Sequence, residues 1–172
     1  DEAQQQLAQR RRQAEMDLAF EQLTRMAETL AGLRDQQRGV LEETTRLSEL
    51  EASQGHLSRA QRISLNNLAR RQQAIAEETA NAGEQLSAAK VFQLALSRAR
   101  EAMERAANLL NDQRTGDDTQ REEQDALRRF EQLLAALEPD EPEEGGEGQQ
   151  GDEGGQGGGQ AGSGRGRSPG KE

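Results

Sequence analysis

Residues 30–44 read LAGLRDQQRGVLEET and residues 65–79 read LNNLARRQQAIAEET. Aligned on one another they match Leu30 with Leu65, Leu33 with Leu68, Gln37 with Gln72, Val40 with Ile75 and Thr44 with Thr79, at an offset of 35 positions. The matched residues step by three, four, three and four, which is the a/d alternation of a heptad, and the offset is five whole heptads. Both copies therefore share one register. Glu42-Glu43 before Thr44 recurs as Glu77-Glu78 before Thr79, so the copies agree on the outer face as well.

Outward from the first copy, the stripe runs through Met16, Leu23, Met26, Leu30, Leu33, Gln37, Val40, Thr44 and Leu47 without a proline. This predicts one helix over about residues 2–53. Its first turns, rich in Gln and Arg, offer little to a core. Ser53-Gln54-Gly55 ends it, because glycine readily takes the left-handed cap conformation, and Ser58 with Gln61 forms the capping box of a second helix. Folding the copies together about His56 pairs Leu47 with Leu65, Thr44 with Leu68, Val40 with Gln72, Gln37 with Ile75, Leu33 with Thr79 and Met26 with Leu86. Gln37 and Gln72 fall in neighbouring layers, close enough to share a hydrogen bond. Gln37, Gln72, Thr44 and Thr79 are the polar residues of the seam, where such residues give up stability and specify register.

The flanks of this hairpin differ. One sets Glu43 opposite Arg71 and Gln36 opposite Glu78; the other carries Phe20, Ala27, Leu41, Ala69, Ala76 and Gly83, small and apolar enough for a further helix to dock. Phe92, Leu96, Ala99, Met103, Ala106 and Leu110 continue the pattern one position out of phase. With neither Gly nor Pro between Ser87 and Lys90, propensity favours a second helix running on over about residues 58–111. Thr115-Gly116-Asp117 marks a turn, Thr119 and Glu122 read as a capping box, and Leu127, Phe130, Leu134 and Leu137 form a last helix over about 118–138. In that reading Leu127 reaches Met103 and Leu134 reaches Leu96. The expectation is an all-α chain: an elongated antiparallel hairpin with a shorter third or fourth helix. Residues 139–172 hold all three prolines and 13 of the 18 glycines; an acidic Gly/Gln-rich tail of this kind is expected to stay disordered.

Composition limits what such a chain can do. Hydrophobic residues make up only 31% of it, enough for narrow stripes and too little for a thick core. The net charge is −10, and from Glu138 onward nine acidic residues face three basic ones, which leaves 23 against 19 in the helical part. That balance speaks against binding nucleic acid or an anionic membrane through charge. No apolar run approaches the roughly 20 residues of a membrane span. The chain starts at Asp1 rather than Met, as expected of a processed product or of a piece of a longer protein. There is no Cys, and the single His56 sits in a turn, so neither a metal site nor histidine catalysis is expected. Glu42, Glu43, Glu77 and Glu78 lack the inward Glu-x-x-His pattern of a di-iron bundle. No catalytic residue, cofactor or metal is assigned.

Val91-Phe92-x-Leu94-Ala95-Leu96, then Ala99, Met103, Ala106-Ala107 and Leu109-Leu110, then Asp118-Thr119-Gln120, Gln124, Ala126-Leu127 and Leu133-Leu134 before a Gly/Gln tail, form a longer pattern. Over residues 30–137 it resembles the C-terminal helical region of large membrane-anchored bacterial coiled-coil proteins of the planctomycete type. The resemblance implies an envelope-associated scaffold and no particular activity. The sequence thus predicts a structural or protein-interaction module whose partners are proteins, a second copy of itself or another helix, with oligomers compatible with it. The alternative is a regulatory or chaperone-like module holding a partner helix along the flank from Phe20 to Gly83.

Overall fold

The computed structural model describes residues 2–86 and 89–138, with side chains from Gln4 onward. It is all-α, with α1 spanning Glu2–Gln54, α2 Arg59–Gln85, α3 Lys90–Asn111 and α4 Asp117–Leu137, and no strand among the described residues. The tail expected to be disordered, 139–172, lies outside the described residues.

The first turn forms as its residues dictate. Gly55 has φ of 77° and its amide closes onto the Glu51 carbonyl at 2.8 Å, the left-handed C-terminal cap that glycine adopts at no steric cost. Ser58 caps α2: its hydroxyl accepts from the Gln61 amide at 3.2 Å, and the Gln61 side chain accepts from the Ser58 amide at 2.7 Å. The α1–α2 hairpin then brings Gln36 to Glu78 and Gln37 to Gln72.

Two expectations about the later helices are corrected. The helix expected over 58–111 is divided: α2 ends at Gln85 and α3 begins at Lys90. Leu86 leaves the helical region with ψ of 21°, and the Ala89 amide bonds to the Leu86 carbonyl at 2.8 Å. The apolar stripe changes phase at this point, and a reversal of direction lets both stripes face one core, which packing can favour over the local helix propensity of the segment. Gly83 of α2 accordingly lies against Leu96 of α3. The second correction concerns α4. Gly116 and not a side chain caps it, and Thr119 turns its hydroxyl back to the Arg114 carbonyl at 2.8 Å. Asp117 and Asp118 occupy the first turn, where the helix dipole favours acidic groups. Of the expected stripe Phe130 is fully buried, while Leu127, Leu134 and Leu137 are half-buried and the neighbouring Ala126 and Leu133 point inward.

The helices close a ring of neighbours, α1 on α2, α2 on α3, α3 on α4 and α4 back on α1. The contacts Glu131 to Arg38 and Glu123 to Thr44 from α4, and Thr115 to Glu51 from the turn before it, rise along one segment as they fall along the other, so α4 and α1 are antiparallel. What the sequence presents as a hairpin with an added arm is an antiparallel four-helix bundle. Its core joins large residues, Leu30, Leu47, Leu65, Ile75, Leu96, Met103, Leu110 and Phe130, to small ones, Ala76, Ala99, Ala102, Ala106 and Ala126. The large residues each contribute about 1.5–3 kcal/mol by leaving water, and the small ones let the helices approach closely.

The helices are unequal. At 1.5 Å per residue α1 is about 80 Å long and α2 about 40 Å. Every side chain from Gln4 to Arg25 is exposed, and burial begins at Met26. About 35 Å of α1 therefore projects past the bundle. Met16 and Leu23, which continue the heptad stripe, are 62% and 52% exposed because α2 stops before reaching them.

The close approach at Gly83 gives a direct check on the α2–α3 packing. A methyl group built on Gly83 would meet the Leu96 Cβ at 3.7 Å, an ordinary contact. Gly83→Ala is expected to stabilise the fold by about 0.5–1 kcal/mol through helix propensity, and Gly83→Leu to cost about 1–3 kcal/mol by overpacking. Denaturant unfolding measures both, and a destabilised alanine variant would contradict this packing.

Candidate functional site

Two features stand out from the apolar core: a buried polar layer in mid-bundle and the projecting part of α1. The layer is built by the sequence repeat. Gln37 of α1 and Gln72 of α2, both fully buried, exchange two hydrogen bonds: the Gln37 Nε2 donates to Gln72 Oε1 at 3.1 Å, and the Gln72 Nε2 donates to Gln37 Oε1 at 2.7 Å. The Gln37 amide also reaches the Glu123 carbonyl of α4 at 3.5 Å. Two carboxamides in this reciprocal arrangement satisfy one another, which is what a buried polar pair requires. Thr79, also buried, does not join them; its hydroxyl bonds back to Ile75 within its own helix.

Thr44 makes a contact the hairpin alone does not supply. Its hydroxyl donates to Glu123 Oε1 of α4 at 2.7 Å. Glu123 is fully buried, and its other oxygen, Oε2, has no hydrogen-bond partner. Burial pushes its carboxyl up to about 7, and the Thr44 hydroxyl opposes that rise in part. An ionised carboxylate taken out of water with a single neutral donor is poorly compensated, so the protonated form is favoured. Sequence reasoning missed Glu123. The signal was available in the run Thr119, Glu123, Ala126, Phe130, Leu133, which steps four, three, four and three and sets a glutamate inside a buried stripe.

On the polar flank, Gln36 reaches Glu78 at 3.5 Å. The expected partnership of Glu43 with Arg71 is not formed. Arg46, one turn along, forks onto Glu43 at 2.8 and 2.5 Å and holds its carboxyl below the usual range, while the Arg71 guanidinium lies beside Gly39. A partner three residues away on the same helix needs no ordering of a second chain segment. Glu42, Glu77 and Glu78 are exposed, His56 is exposed in the turn, and among the described residues no group of His, Cys, Asp or Glu gathers as a metal site.

The small-residue flank expected to receive a partner helix is divided by the fold. Ala69, Ala76 and Gly83 are buried within the bundle, with α3 packed along α2. Ala27 and Leu41 are half-buried, and only Phe20, 70% exposed, stands open. The chain fills its own docking flank because the α2–α3 turn returns a second small-residue helix to it.

What remains open is the α1 projection and the groove at its root. Leu7, Met16, Leu18, Phe20 and Leu23 are all more than half exposed. Where α1 leaves the bundle, Leu23, Met26 and Thr29 face Leu86 and Ala89 across a groove of about 610 Å³. No helix among the described residues is long and apolar enough to cross a membrane. No family model, curated protein or solved structure matches the chain.

Two outcomes follow from the polar layer. Replacing Gln37 or Gln72 alone with Leu strands its partner amide and should cost about 1–3 kcal/mol. Replacing both restores a continuous apolar seam, so the double variant should recover most of that loss while admitting slipped or higher-order species. Thermal unfolding and sedimentation test this, and simple addition of the two single losses would contradict it. Glu123 governs the pH response. Its folded carboxyl titrates above the unfolded value of 4.5, so its favourable contribution is fully present below pH 4.5 and is lost as pH rises to about 7. Denaturant unfolding at pH 4.5 and pH 8 should differ by about 3 kcal/mol from this group, and Glu123→Gln should remove the difference.

Proposed function

We propose that this chain is a structural, protein-interaction module in which a four-helix bundle holds out the N-terminal part of α1 for assembly with another helical chain. The observation that carries this reading is the stripe of Met16, Phe20 and Leu23 on the projection. These residues step by four and three, so they lie on one face of the helix, and each is more than half exposed. Single exposed apolar residues are ordinary on a protein surface, whereas several on one face of an isolated helix call for cover. A bundle with its own core supplies the rigid base that such an arm needs.

The choice of a non-catalytic role rests on the sequence, with one histidine and no cysteine. The acidic balance supports protein partners over nucleic acid. The resemblance of residues 30–137 to planctomycete-type envelope proteins supports a place within a larger bacterial envelope-associated scaffold. A chaperone-like role along the small-residue flank is the weaker reading, because Ala69, Ala76 and Gly83 are already buried inside the bundle.

The test uses a dye that fluoresces on exposed apolar surface. The full chain should bind it, and Met16→Ser, Phe20→Ser and Leu23→Ser together should sharply lower the signal while leaving the melting temperature unchanged, since none of these side chains belongs to the core. A full chain that leaves the dye dark would refute the role given to the projection.

A further inference from the structure

We infer that Glu123 is a proton-operated clasp for α4: the helix stays seated on α1 while the carboxyl is protonated and detaches locally when it ionises, with α1, α2 and α3 still paired. This is independent of the role given to the α1 projection. It rests on where the bundle places its one fully buried carboxyl and on how that group is held.

Glu123 projects from α4 into the seam with α1, with the Thr44 hydroxyl on Oε1 and nothing on Oε2. No cation answers it from any neighbouring helix. On α1, Arg38 turns outward to Glu131 and Arg46 to Glu43. Arg71 of α2 is exposed beside Gly39. On α3, Arg105 pairs with Glu122, the residue next to Glu123, at 2.8 Å. The uncharged Gln37 and Gln72 amides already satisfy one another. A negative charge at Glu123 therefore gains a single hydroxyl donor while it stays buried, and water on both oxygens once α4 lifts.

The same contacts make the opening local. Residues 112–116 form the connection between α3 and α4. The polar contacts to α1 from α4 and the turn before it are few: Thr115 of the turn to Glu51, Glu123 to Thr44, Gln37 to the Glu123 carbonyl, and the exposed pair Arg38 and Glu131. The α1–α2 pair is held by its own amide exchange, and α2–α3 by the close approach at Gly83. None of these depends on the Glu123 side chain. Lifting α4 would uncover Ala126, Phe130 and Leu133, which are buried in the closed bundle.

Amide hydrogen exchange on the full chain, corrected for the intrinsic rate at each pH, tests the clasp. Between pH 4.5 and pH 8, protection of residues 126–137 should fall on the order of 100-fold, and at pH 8 residues 65–82 and 96–110 should stay better protected than α4, because they exchange only when the whole bundle unfolds. Glu123→Gln should make protection of α4 independent of pH. Thr44→Val removes the only donor to the ionised carboxylate, so α4 should go on losing protection to a higher pH than in the unaltered chain; this variant decides the matter should Glu123→Gln fail to fold. Equal protection of all four helices at pH 8, or equal protection of α4 at both pH values, would overturn the inference.

Discussion

The exchange of hydrogen bonds between Gln37 and Gln72 is the constraint on which the rest of this bundle depends. In a seam of Leu, Val and Ile, helices can slide by a heptad with little change in buried area. A pair of carboxamides that must meet permits one alignment, since any slip leaves two buried amides without partners. That alignment has consequences at both ends of α1. It determines that α2 runs out beside Met26, and so how much of α1 projects. It also presents Thr44 at the height where α4 delivers Glu123.

A core this thin is sensitive to each of its polar members. With hydrophobic residues limited to 31% of the chain, the bundle relies on alanine-lined helix contacts and on a few fully buried large side chains. Against a typical net stability of about 5–15 kcal/mol, a buried carboxyl whose ionisation costs about 3 kcal/mol is a large term. Glu123 makes the seam between α1 and α4 conditional on pH, while the amide pair makes the seam between α1 and α2 unconditional. Two polar contacts about two turns apart on α1 thus do opposite things, because one is self-satisfying and the other leaves an oxygen bare.

The projection of α1 and the closure of the bundle arise from the same event, the reversal between Gln85 and Lys90. Had the second helix continued, it would have covered Leu23 and Met16 and left Ala69, Ala76 and Gly83 open for a partner. The reversal exchanges these roles. The small-residue face is enclosed by the chain itself, and the larger side chains on α1 are left in water. A module that meets other chains does so here through an extended apolar helix and not through a groove lined with small residues.

The sequence by itself determined everything that repeats at short range. The matched copies at residues 30–44 and 65–79 specified the seam, the cap-glycine turn at Gly55, the Ser58 capping box and the meeting of Gln37 with Gln72, because heptad spacing and cap chemistry act within a few residues of one another. Tertiary structure alone decided the rest. The segment around Leu86 and Ala89 carries no breaker residue, and its reversal is favoured by packing of α3 on α2, which no local pattern records. Arg71 loses Glu43 to Arg46, a competitor visible only when distances along one helix are weighed against those across two. Glu123 becomes a buried acid only when α4 closes on α1, 79 residues from Thr44; its place in the stripe was legible, but the absence of a cation around it belongs to the assembled bundle.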